Sequence, residues 1–129
     1  MRTVAAGVVL AVLFVGCGPD PKDRAKLSVL QKEVFTPSCA SSSCHGGANP
    51  VEGLDLREGK TLASTVNVDS HLQTGTKRIV PGDAENSLLF QVVSGTATDV
   101  QRMPANAPPL DDADIEAIRL WIEAGARVD

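Results

Sequence analysis

The sequence predicts a mainly α-helical domain, with about three helices joined by long loops. A small set of observations carries this. Apolar residues recur at helical spacing in three separate segments. Those segments are bounded by Asp, Gly and Pro, the residues that start and stop helices. Between them the chain is rich in Gly, small polar and β-branched residues, and any strand there is short.

The chain opens on a leader. Arg2 is the sole charged residue before Asp20, and Val4 to Gly16 is an almost unbroken apolar run. The run is shorter than the roughly 20 apolar residues that span a bilayer. It ends in the small residues Gly16-Cys17-Gly18. A basic start, an apolar centre and a small-residue processing site make residues 1–16 a signal peptide. A Cys directly after such a run resembles the lipobox of bacterial lipoproteins, in which that Cys receives lipid and becomes the first mature residue. The lipobox favours Leu three residues before the Cys; here Phe14 holds that place and Leu13 precedes it. The resemblance implies lipidation at Cys17 and a bacterial cell-envelope protein, membrane-anchored and facing the periplasm or the cell exterior. The other reading is a plain secreted leader, with Cys17 a spare thiol. Residues 17–26 are polar, hold two Pro and read as a lipidated tether. Residues 27–129 read as one small domain with a modest core.

The first helix is expected from Asp23 to Phe35. Leu27, Leu30, Val34 and Phe35 share one face, and Pro37 stops it. The second is expected from Ala84 to Ser94, with Asp83 capping its start, Leu88, Leu89, Val92 and Val93 on its apolar side, and Gly95 ending it. The third is expected from Asp112 to Ala124. Asp111 is its N-cap, and Asp112 and Asp114 suit the positive end of its dipole. Ile115, Ile118, Trp121 and Ile122 form its buried stripe, and Gly125 follows it. Gly46 to Gly82 is loop, and loops of that length in a compact domain need something to pack against. Beyond the leader the aromatic residues are Phe35, Phe90 and Trp121, with no Tyr. The net charge is −4 and no basic stripe is present, which argues against nucleic acid as a partner.

Directly after the first helix comes Cys39-Ala40-Ser41-Ser42-Ser43-Cys44-His45. Thiols followed by an imidazole are the order that covalent haem attachment requires. Each thiol adds to a vinyl group, and the adjacent His reaches the iron as proximal ligand. The usual gap between the thiols is two residues, and here it is four. Met103 is the only Met beyond the initiator, in a loop stiffened by Pro104, Pro108 and Pro109. A thioether opposite His is a common axial pair of a covalently held haem. A haem would also give the long loops a large apolar body to pack on. An iron with both axial positions filled has no open site for substrate. The chemistry expected is therefore electron transfer with redox partner proteins, not catalysis.

The segments Val34-Phe35-Thr36-Pro37-Ser38-Cys39, Cys44-His45-Gly46-Gly47, Gly53-Leu54-Asp55-Leu56, Val80-Pro81-Gly82-Asp83, Ser87-Leu88-Leu89, Met103-Pro104 and Leu110-Asp111 through Trp121-Ile122-Glu123-Ala124-Gly125-Ala126 span nearly all of the mature chain. In this order they resemble the small c-type cytochrome domains of planctomycete and myxobacterial secreted proteins. The resemblance implies a compact cytochrome c-like fold around one covalent haem c, His45 and Met103 as axial ligands, and electron transfer.

The same residues have other uses. Cys39 and Cys44 fit a short-loop disulfide, which the oxidising space beyond the membrane favours. The chain would then be a non-haem lipoprotein acting as an interaction module. Cys39, Cys44, His45 and His71 are also ligand types for Zn or Cu. His71 is otherwise a solvated loop residue, and the reserve distal ligand should Met103 be a gap-filling core residue. Trp121 is expected in the core, its indole N–H on a haem propionate. Arg78 and Arg102 are either solvated or paired with propionates.

Overall fold

A computed structural model describes residues 19–129; the expected signal peptide (residues 1–16) and Cys17 lie outside the described residues. The described chain is mainly helical, and among the described residues there are no strands, only isolated bridges.

α1 (Pro21–Arg24) is a single turn, capped by the Asp20 carboxylate, which accepts from the Lys22 N–H at 2.9 Å. α2 (Leu27–Leu30) runs without a break into a π-turn (Gln31–Phe35) and then α3 (Thr36–Ser38). The first long helix therefore starts at Leu27 and not at Asp23, because Lys26 is extended (φ −106°, ψ 140°). It also continues past Pro37. Pro has no N–H to give to a helix. The π-turn absorbs that defect: the Thr36 N–H reaches back to Gln31 O, and Pro37 falls in the first turn of α3, where a donor is not needed.

Part of the segment expected as a tether is built into the domain. α1 packs on the last helix, Arg24 pairs with Asp114, and Ala25 packs against the core. Packed structure thus begins near Asp20, ahead of the boundary drawn at residue 26.

The long loop contains a 3₁₀ turn (Val51–Gly53) and a further helix, α4 (Thr61–Thr65), which the apolar periodicity does not reveal. Thr61 and Thr65 are buried, and the Thr65 hydroxyl donates to Thr61 O at 2.7 Å. After α4 the chain doubles back through bridges between Val66 and Ile79 and between Asp69 and Lys77. α5 (Leu88–Ser94) starts at Leu88 and not at Ala84. Asp83 is occupied in a turn, accepting from the Asn86 N–H at 3.1 Å, so it does not cap the helix. Gly95, at φ +78°, ends α5.

α6 (Asp112–Glu123) lies where the sequence places it. Asp111 accepts from the Asp114 N–H at 2.8 Å. α1, α2 and α5 all pack on α6. Its face of Ala117, Ile118, Trp121 and Ile122 is buried, with Ile115 half-buried at the edge. Trp121 meets Phe35 edge-on, ring centroids 5.9 Å apart. Its indole N–H donates to Arg127 O at 2.9 Å, so the chain itself supplies the partner that had been expected from a propionate. Leu30, Val34 and Phe35 from the first long helix, and Leu89, Phe90 and Val93 from α5, join the core, with Leu56, Ile79, Ala84 and Ala126 from the connecting segments. Burial of each such side chain is worth about 1.5–3 kcal/mol.

Candidate functional site

The π-turn delivers the chain to the thiol motif. Phe35 O accepts from both the Cys39 N–H (3.0 Å) and the Ala40 N–H (2.8 Å). The chain then curls. Cys44 and Gly46 N–H both donate to Ser41 O at 3.0 Å, and the His45 N–H donates to Cys39 O at 3.1 Å. The lengthened gap between the thiols is therefore a compact loop that closes Cys39 onto His45. It rests on the two glycines that follow. A Cβ on Gly46 would lie 1.9 Å from Ala40 O, and one on Gly47 would lie 2.4 Å from Ser42 O. Gly is needed at both places for close backbone approach.

His45 is held at backbone and ring. Its carbonyl accepts from the Leu56 N–H at 2.8 Å. Its Nδ1 lies 3.2 Å from Val51 O. A carbonyl oxygen only accepts, so Nδ1 carries a ring proton, and in the neutral ring Nε2 is the nitrogen with the lone pair. A backbone carbonyl fixing one ring nitrogen is the usual second partner of a metal-ligating imidazole. The 3₁₀ turn presents that carbonyl, and the Val51 N–H ties it back to Cys44 O at 2.9 Å.

His45 and Met103 line one cavity of about 290 Å³. Leu54, Leu88, Leu89 and Val92 provide apolar wall, and His71 and Arg78 polar wall. Met103 is half-buried, and its N–H donates to Val92 O at 2.9 Å, which lays its loop along α5. His71 is exposed and lines the same cavity, next to Gly53. The fold thus gathers the proximal candidate, the distal candidate and the reserve from distant parts of the chain into one cavity.

The thiols do not line that cavity; they sit on the loop that carries His45. Both are free. Cys44 is exposed, and Cys39 packs against the core. Burial, aided by the neighbouring Cys44, pushes the Cys39 thiol up to about 11. Among the described residues no three His, Cys, Asp or Glu side chains cluster as a metal-binding group. Cys39, Cys44, His45 and His71 accordingly do not assemble into the alternative Zn or Cu centre.

Arg78 differs from expectation. It is buried, not solvated, and its guanidinium donates to Glu52 O (2.6 Å), Ser64 O (2.8 Å) and Gly53 O (3.3 Å). Loss of water around it lowers its pKa from the ordinary guanidinium value. It clamps the 3₁₀ turn that presents Val51 to His45. The one hint in the sequence is an Arg directly before the apolar Ile79-Val80. Arg102 is exposed and lies beside Gly95.

No known protein family, curated protein or solved structure significantly matches this chain. No helix among the described residues is long and apolar enough to cross a membrane.

Proposed function

We propose that this chain is a membrane-anchored electron-transfer protein of the bacterial cell envelope. It would carry one covalent haem c, attached through Cys39 and Cys44 and ligated by His45 and Met103, in a cytochrome c-like domain. One observation carries the reading: His45 and Met103 line a common, largely apolar cavity, and a backbone carbonyl already occupies His45 Nδ1. The residues supply the donor types the group needs. Nε2 is the nitrogen left for iron, the Met103 sulfur is a soft ligand, and the thiols sit on the loop immediately before His45. Bound there, a haem supplies a reversible one-electron iron couple.

The chain's own residues set how such a couple would behave. The carbonyl of Val51 orients the imidazole. The thioether of Met103 favours the reduced metal. Leu54, Leu88, Leu89 and Val92 exclude water, which disfavours the additional charge of the oxidised state. Lipid on Cys17 would confine the protein to a membrane face near its redox partners.

The test is production with a haem-maturation system. Apart from any lipid on Cys17, the mature protein should exceed the polypeptide mass by one haem and show a Soret band. Met103→Ala should keep the haem, lose the weak sulfur-to-iron charge-transfer band and lower the potential. A mass lower by two hydrogens, lipid aside, with no Soret absorbance, would establish the Cys39–Cys44 disulfide instead. An unchanged spectrum and potential in Met103→Ala would make Met103 a packing residue, and His71→Ala would then be the substitution to test.

A further inference from the structure

Gln31 is a buried amide in a core helix, a costly place unless its polar atoms are paired. They are paired. Its Oε1 accepts from the Thr61 hydroxyl at 2.6 Å, and its Nε2 donates to Leu56 O at 2.8 Å and to Thr36 Oγ1 at 3.1 Å. Leu56 in turn donates its N–H to His45 O at 2.8 Å. Gln31 is also the first residue of the π-turn, whose last residue, Phe35, takes the Cys39 and Ala40 N–H groups. One π-turn therefore holds the thiol loop from two sides. From Phe35 the path runs through Cys39 O to the His45 N–H. From Gln31 it runs through Leu56 to the His45 carbonyl. π-turns interrupt regular helix and are frequently found at functional sites. A Leu or Met of similar volume would fill the space equally well but hold neither Leu56 nor Thr61.

We propose that Gln31 is a positioning residue for His45, fixing through Leu56 where the imidazole faces the cavity. The use of that placement rests on the haem reading; the placement itself is testable without haem.

The experiment takes the full chain, made with and without haem maturation, as wild type, Gln31→Met and Thr61→Val. Gln31→Met keeps side-chain size and removes the donor and the acceptor. Without haem, the Leu56 N–H should exchange roughly tenfold faster, as befits one lost hydrogen bond. The ¹⁵N signals of the His45 ring should lose the fixed Nδ1–H pattern and move toward those of a freely exchanging imidazole. With haem, the low-spin resonance signal should broaden. Thr61→Val removes only the hydroxyl and should give the same changes in smaller degree; it decides the matter if Gln31→Met does not fold. A folded variant that melts lower but leaves both Leu56 exchange and the His45 nitrogens unchanged would overturn the proposal. If the wild type takes up no haem, the functional reading fails, while the exchange and ¹⁵N measurements still decide the role of Gln31.

Discussion

Cys39 and Cys44 share a loop but not an environment. The thiolate is the reactive form of cysteine, and a thiol held up at about 11 supplies very little of it near neutral pH. In protein without haem, alkylation at pH 8 should therefore modify exposed Cys44 at least roughly tenfold faster than Cys39. Peptide mass spectrometry over a time course measures the ratio, and equal rates would show that Cys39 is open to solvent. Gly46 bears the tightest constraint in the loop. Its missing Cβ would meet a backbone oxygen, which cannot swing away as a side chain can. Gly46→Ala should cost roughly 1–3 kcal/mol in urea unfolding, and on the proposed function it should also reduce haem loading. A stability within experimental error of wild type would mean the loop adapts. At this scale the motif residues are legible in sequence because they are adjacent. Arg78 and Gln31 are not, because most of their partners lie far along the chain and leave no local pattern.

The helices differ in how plainly they are written. α6 carries a cap, a first turn of carboxylates, an apolar stripe and a terminal Gly, all pointing to one conformation, and it forms where those signals place it. Asp111→Ala should lower the urea midpoint by the equivalent of about 1 kcal/mol without altering the slope; no change would mean the cap is dispensable in the packed domain. α5 covers its whole apolar side but is shorter than the expected Ala84–Ser94, because Asp83 is committed to a turn with Asn86. The first long helix is misread at both ends, since neither the extended Lys26 nor a π-turn that tolerates Pro37 has a periodic signature. α4, Thr-Leu-Ala-Ser-Thr, holds few strong helix formers. Tertiary bonds such as Thr61 to Gln31 stabilise it, and a sequence window cannot contain them. The cavity is likewise not legible as a shape; only its His and Met could be named, not that they meet.

For the molecule as a whole, hydrogen-bonded carboxylates, one in a local pair and one across the fold, set an acid limit. The hydrogen bond from Arg57 holds the Asp55 carboxyl at about 2, against about 3.9 for an unfolded Asp. The folded value is the lower one. The stabilisation is therefore present above pH ~4 and is lost as the pH falls toward ~2. Asp129 acts in the same sense: hydrogen bonds from Ser28 keep its carboxyl below the ordinary value and hold the last residue against α2. Thermal melts between pH 5 and 2 should show a falling midpoint, and Arg57→Ala should flatten part of that fall. A pH-independent midpoint over this range would show that neither contact stabilises the fold. On the proposed anchor, Cys17→Ser should also move the protein from the membrane fraction to the soluble fraction or leave it unprocessed; a wild type already fully soluble would exclude the lipid.

The docking of α1 on α6 has a mechanical consequence. Only Gly18, Pro19 and Asp20 separate Cys17 from α1. An extended chain covers at most about 3.6 Å per residue, so an acyl-bearing Cys17 would stand within roughly 15 Å of the place where α1 meets the domain. So short a leash leaves little freedom to tumble. The same side of the protein would always face the bilayer, and encounters would be set by lateral drift and by which way the cavity mouth looks. A flexible insert after Gly18 would restore rotation without altering a single contact in the fold.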